Sequence, residues 1–259
     1  MKKNILILVI SIFCASCSKK NVQIEEDLTL YFDKAMDYFE KNKFMRARDE
    51  FEFIIMTDPG SKIANEAQYY KAESMFQMEE YEMASIAFDR FVRFSTDYQK
   101  IESSRYRICE SAIGLSNSFQ REQSQTHYAL EQLQMFIEDY PQSDLVKDAE
   151  IAISDLRIKL ALKDYETGRL YLKLEEYDAA LVYFKLVLNQ YYDTSVSDDA
   201  RIGIIFTHIL NQNRSGAESY YKSQLNSFFD KQKIEEANLL LNETTDGLKA
   251  SQYYQLYKW

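Results

Sequence analysis

Residues 35–59 read AMDYFEKNKFMRARDEFEFIIMTDP, and this stretch decides the fold. It sets Ala35, Tyr38, Phe44, Ala47, Phe51 and Pro59 at intervals of 3, 6, 3, 4 and 8. The same intervals return at Ala72, Met75, Tyr81, Ala84, Phe88 and Thr96, and again at Gly168, Tyr171, Tyr177, Ala180, Phe184 and Tyr192. Spacings of 3 and 4 bring side chains onto one helical face. A pattern that recurs with a fixed internal spacing marks a repeat architecture. Each set reads as a helix A with a small residue, a short turn, and a helix B whose Ala and Phe face back onto it. The small residues let the two helices approach closely, and the aromatics fill the space beside the contact. No hairpin of this kind buries its apolar face alone, so hairpins stack.

The sets resemble the tetratricopeptide (TPR) signature, which implies a right-handed superhelix. Two further repeats are degenerate. Ala129, Leu133, Phe136 and Pro141 fit a helix B, with a weak helix A near 102–118; Ala217 and Tyr221 fit another, with helix A near 198–210. Helix-B alanines then fall at 47, 84, 129, 180 and 217, and the wider middle gaps call for a loop in repeat 3, before residue 124, and a lengthened helix between 144 and 173. Pro59-Gly60-Ser61 and Pro141-Gln142-Ser143 each stop a helix and offer a Ser as N-cap of the next. Past residue 230, Ile234, Ala237, Leu241, Thr244 and Leu248 share one face and read as a capping helix. The expectation is an all-α chain, an α-solenoid of about five TPR-like hairpins over 28–229 with a capping helix and tail over 230–259. Composition agrees: 6 Gly and 2 Pro in 259 residues are too few to turn a β or α/β chain of this length, and 46% hydrophobic residues exclude a disordered one.

At the N-terminus, Lys2 and Lys3 precede an apolar run from Ile5 to Phe13, too short to cross a bilayer and suited to a secretory signal. It leads into Cys14-Ala15-Ser16-Cys17. Small residues directly before a cysteine resemble the lipobox of bacterial lipoproteins. The resemblance implies that residues 1–16 are cleaved, that Cys17 is acylated, and that 17–27 form a lipidated tether. Ser18 after the lipid site resembles an outer-membrane sorting address. Cys109 is then left alone, without a disulfide framework, and reads as a small buried apolar residue.

A lipidated TPR chain of this size resembles the BamD family of outer-membrane protein assembly factors. Ala47 to Pro59 matches that family's first repeat, and Tyr81, Ala84 and Asp89-Arg90-Phe91 its second. Arg121-Glu122-Gln123 with Thr126 and Ala129, then Phe136, Tyr140-Pro141-Gln142-Ser143 and Asp148-Ala149, and Leu156-Arg157 through Ala161 and Tyr171 continue the match, over about 28–210. The chain departs where the family has Tyr-Pro at the end of repeat 4, here Tyr191-Tyr192, and in lacking an Arg near Phe184 and Lys185. The resemblance implies a periplasm-facing lipoprotein of the outer membrane that docks on the periplasmic domains of BamA beside other Bam lipoproteins and helps receive unfolded outer-membrane proteins. A different periplasmic TPR lipoprotein, coordinating envelope constriction or peptidoglycan synthesis, would share fold and anchor.

Two non-signature positions recur as aromatic, Phe32 with Tyr69 and Phe39 with Phe76, each pair 37 residues apart. Within a hairpin they are seven apart, on one face. Such a stripe suits an extended segment with aromatic side chains, or packs between adjacent A helices. Tyr253, Tyr254, Tyr257 and Trp259 give an aromatic C-terminus that packs against the cap, touches the membrane interface or frays. The two His, His127 and His208, have no His or Cys at ligand spacing, and no Gly-rich phosphate loop occurs. His208 takes the slot held by Tyr38 and Tyr171, as a packing residue. No catalytic residue, metal or cofactor is expected, and a net charge of −10 argues against nucleic acid.

Overall fold

The computed structural model describes residues 27–243. All regular structure in them is helical: α1 (27–40), α2 (Phe44–Thr57), α3 (Lys62–Gln77), α4 (Tyr81–Phe94), α5 (Tyr98–Leu115), α6 (Ser124–Asp139), α7 (Val146–Lys173), α8 (Tyr177–Gln190), α9 (Val196–Leu210), α10 (Arg214–Gln224), a 3₁₀ turn (Leu225–Ser227) and α11 (Lys231–Glu243). Odd-numbered helices up to α9 are A helices and even-numbered ones B helices, so the fold is all-α and TPR-like. The long α7 and the loop before Ser124 are where the alanine spacing asks for them. Helix A of repeat 3 starts at Tyr98, earlier than the weak pattern near 102 suggested, with Asp97 accepting the N–H of Lys100 at 3.1 Å. Ser61 caps α3 through the N–H of Ala64. Ser143 does not cap α7, which begins at Val146; its hydroxyl accepts the Leu145 N–H and donates to Glu102 instead.

The described residues divide into two compact units, one comprising 27–116 with 131–146, the other 117–130 with 147–243. In the first, Ala35, Ala47, Ala72 and Ala84 are sealed from solvent, and Phe51 and Phe88 lie beside them. In the second, Ala180 and Phe184 play the same parts, and α9 runs through the core formed with α8, α10 and α11. The ring of Phe184 lies between two glycines: a Cβ built on Gly168 or on Gly203 would come within 2.8 Å of it. Only glycine admits helix backbone that close.

Four of the five hairpins turn identically, and none uses glycine to do so. Asn42, Glu79, Glu175 and Gln212 stand at φ of 56°, 60°, 62° and 55°. Each follows helix A by the same register. The N–H groups of Lys43, Glu80, Glu176 and Asn213 bond the carbonyls of Tyr38, Met75, Tyr171 and His208 at 2.8–3.0 Å. The N–H of each left-handed residue bonds the carbonyl three back, completing a Schellman closure. His208 therefore holds the same backbone position as Tyr38, Met75 and Tyr171. The α5–α6 connection is different. Its loop is pegged by Gln123, 5% exposed, whose amide donates to the carbonyls of Ser118 and Arg121 and accepts from Thr126. That role accounts for a Gln in the Arg121-Glu122-Gln123 run.

Candidate functional site

Cys17 and the aromatic tail from Tyr253 lie outside the described residues. The four stripe aromatics lie within them, on α1 and α3, and all four are half-buried. Phe32 and Phe39 both turn to Tyr70, with ring centroids 5.9 and 5.7 Å from it. Phe39 also meets Phe44 at 5.4 Å, and Tyr70 stacks on Phe51 at 5.8 Å. Tyr69 points into its own hairpin, against Phe91 at 5.4 Å and Phe88 at 6.1 Å on α4. Phe76 packs on Tyr81 at 5.6 Å and carries the Arg107 guanidinium 4.5 Å above its ring. The structure thus gathers Phe32 and Phe39 around Tyr70, while Tyr69 and Phe76 face hairpin 2 and α5. Sequence reading missed Tyr70 because its neighbour Tyr69 carried the 37-residue repeat. Adjacent residues on a helix point about 100° apart, so the pair spans two hairpins.

A polar network adjoins these rings. Glu73, 5% exposed, accepts from Arg107 at 2.9 Å, and Arg107 also donates to Glu110 at 2.8 Å. Lys100 pairs with Glu66 and lies 5.5 Å from the centroids of both Tyr69 and Tyr70. Both interhelical pairs join α3 to α5 with partners 34 residues apart. That period is the signal a search for opposite charges one repeat apart would have found. Burial pushes the Tyr69 phenol well above its usual range, and Glu73 adds to the effect. Burial opposes the charge on Arg107, but Glu73 and Glu110 outweigh it and hold the guanidinium more firmly charged. Half-buried aromatic rings and paired charges thus alternate along α3 and α5. Among the described residues no group of three His, Cys, Asp or Glu is placed to hold a metal ion. No helix among the described residues is long and apolar enough to cross a membrane.

In the second unit the main polar feature is internal. Asp198 and Arg201, with side chains 4% and 7% exposed, pair at 2.8 Å. The second Asp198 oxygen accepts the N–H groups of Phe229 and Asp230, both at 2.9 Å. Arg201 also donates to Ser197, and its guanidinium lies 5.8 and 5.9 Å from the rings of Phe228 and Phe229. This pair fixes the segment that leads into α11, whose Ala237 and Leu240 close over the core. Cys109 is buried and donates to the Arg105 and Gln132 carbonyls; burial pushes its thiol up to about 12, so it is inert at neutral pH.

Comparison with known proteins places these features in a family. Over 216 residues the chain is 24% identical to the outer membrane protein assembly factor BamD of Rickettsia prowazekii (strain Madrid E), covering 83% of this chain and 86% of that protein. It is 25% identical over 201 residues to the same-named factor of Caulobacter vibrioides, covering 76% of this chain and 65% of that protein. Among solved structures, the crystal structure of MamA protein is similar at 16% identity and a TM-score of 0.34, covering 85% of this chain and 98% of that one. The profile of the YfiO family, described as outer membrane lipoprotein, matches residues 25–222. That match runs from α1 into α10, the second helix of the fifth hairpin, and the chain belongs to the YfiO family of outer membrane lipoproteins.

Proposed function

We propose that this chain is a non-catalytic subunit of the machinery that assembles outer-membrane proteins. On this reading it is held to the outer membrane through acylated Cys17, faces the periplasm, docks on BamA beside other Bam lipoproteins, and helps receive unfolded precursors. The observation that carries the reading is the family match over 25–222, together with two relatives that bear the assembly-factor name along most of this chain. The helical hairpins and their aromatic and charged surfaces support a binding role. Purification of the tagged chain from its own membranes is the test. BamA in the eluate is the expected result; cell-wall enzymes without BamA would replace this reading with that of an envelope-synthesis scaffold. Mass measurement of the extracted chain checks the anchor: loss of residues 1–16 and acylation of Cys17 are expected.

The receiving surface on this reading includes Phe32, Phe39, Tyr69 and Phe76. Each is half-buried, and an aromatic pair contributes about 0.5–1.5 kcal/mol beyond burial. The double substitution Phe39→Ala with Phe76→Ala should abolish precursor binding in a chain that still folds cooperatively, its melting temperature lowered only by the lost ring contacts. A collapsed melting temperature would instead assign these rings to the core.

A further inference from the structure

A cavity of about 620 Å³ opens in the first unit where α2 and α4 end and α3 begins. Three kinds of group line it. The first is a neutral amide: Gln68 is only 7% exposed, lines the cavity, and bonds to no described residue. Its amide is therefore turned to the open space of the cavity, whereas Gln123 is closed on itself by three hydrogen bonds within its loop. Asn65, one turn earlier on α3, adds a second amide to the lining.

The second kind is positive charge. Arg90 lines the cavity and pairs with no described carboxylate, although Arg93 and Arg105 both reach Asp89 beside it. Lys62 sits on the first turn of α3, where the helix dipole also favours an anion. None of the lining residues is Asp or Glu, in a chain with 41 acidic against 31 basic residues. The third kind is apolar: Phe94 is 75% exposed at the rim, with Ile55 behind it.

We propose that this cavity binds an extended peptide segment of a protein partner that carries an acidic side chain next to an apolar one. The carboxylate sits between Arg90 and the start of α3. A peptide bond pairs with the amides of Gln68 and Asn65, each of which donates and accepts, and the apolar side chain covers Phe94. Phosphate, free or on a lipid headgroup, could engage the positive charge but has no apolar part to cover Phe94. The site is separate from the aromatic stripe and stands or falls without it.

The test is fluorescence anisotropy of the detergent-solubilised full chain with a fluorescein-labelled, C-amidated peptide, Gly-Ser-Leu-Glu-Leu-Ser-Gly. Saturable binding is expected, weakened about tenfold or more when the peptide Glu is replaced by Gln or the chain carries Arg90→Gln. Gln68→Leu should weaken it several-fold with the melting temperature kept or raised, and Arg93→Gln should leave it unchanged. The proposal is overturned by any of three results: no saturation at millimolar chain, binding indifferent to Arg90→Gln, or displacement of the peptide by equimolar inorganic phosphate.

Discussion

Helices α3 and α9 are the A helices of repeats 2 and 5, and they treat the same position in opposite ways. Five residues before the Schellman acceptor, α3 carries Tyr70, which stacks on Phe51 of the preceding helix B. At the corresponding place α9 carries Gly203, whose backbone closes directly on Phe184. In α9, 13 of 15 residues are buried, against seven of 16 in α3, so α9 is an interior helix and α3 a surface one. Their polar residues follow suit. Asp198 is consumed internally, bridging Arg201 and the Phe229 and Asp230 amides, whereas Gln68 of α3 faces an open cavity and Glu73 reaches across to α5. A repeat that ends the series must seal itself, and a repeat within it keeps polar groups available for neighbours and partners.

The largest effect that bears on this contrast is expected at Asp198. Asp198→Ala leaves Arg201 buried without its carboxylate and frees two backbone N–H groups, a loss of about 3–5 kcal/mol. Hydrogen exchange should show α9 and α11 losing protection, and retained protection would break the comparison. Gly203→Ala comes next. In an ordinary helix interior this change gains about 1 kcal/mol; here the new methyl meets the Phe184 ring, and overpacking of about 1–3 kcal/mol wins. The net loss, read by urea denaturation, should be of opposite sign to the ordinary case.

On α3 the expected sign reverses. Gln68→Leu removes an amide that bonds to no described residue and adds apolar surface beside Ile55 and Phe91, so it should hold or raise the melting temperature, by about 1 kcal/mol at most. A marked drop would mean that α3 is sealed like α9. The smallest effect concerns pH. Burial, then the nearby Lys185 charge, holds the His208 imidazole below its ordinary value of 6.5. The folded state therefore holds this proton less tightly than the unfolded state. The contribution is complete above about pH 6.5 and is lost as pH falls through the lower folded value. His208→Tyr, the residue found at the matching positions 38 and 171, should lose less stability than the parent chain between pH 7.5 and 5.5 in urea titrations.

The parts of this fold that were legible beforehand are those where packing leaves few residue types available. Ala47, Ala84, Ala180 and Ala217 had to be small because two helix backbones meet there, and Phe51, Phe88 and Phe184 had to fill the gaps beside them. The left-handed turns were not legible, because Asn42, Glu79, Glu175 and Gln212 carry no glycine signal; the hairpin closure imposes φ on them. At the candidate surface, the period marked Tyr69 and Phe76 but passed over Tyr70, whose partners lie in the preceding hairpin. The Arg107–Glu73 pair was hidden among many charges, and only the α3–α5 contact selects it.

By itself, then, the amino-acid sequence determined the helical class, the number of hairpins and the site of the long α7. Each of these depends on local spacing or on residue size at a close contact. Only the tertiary structure decided which polar residues are spent and which remain open. Asp198, Gln123 and Gln68 are all buried polar residues in a helical repeat chain, and nothing in their immediate neighbours tells them apart. What separates them is whether the packed chain brings a partner within hydrogen-bond reach, as it does for Asp198 and Gln123, or leaves a cavity, as it does for Gln68.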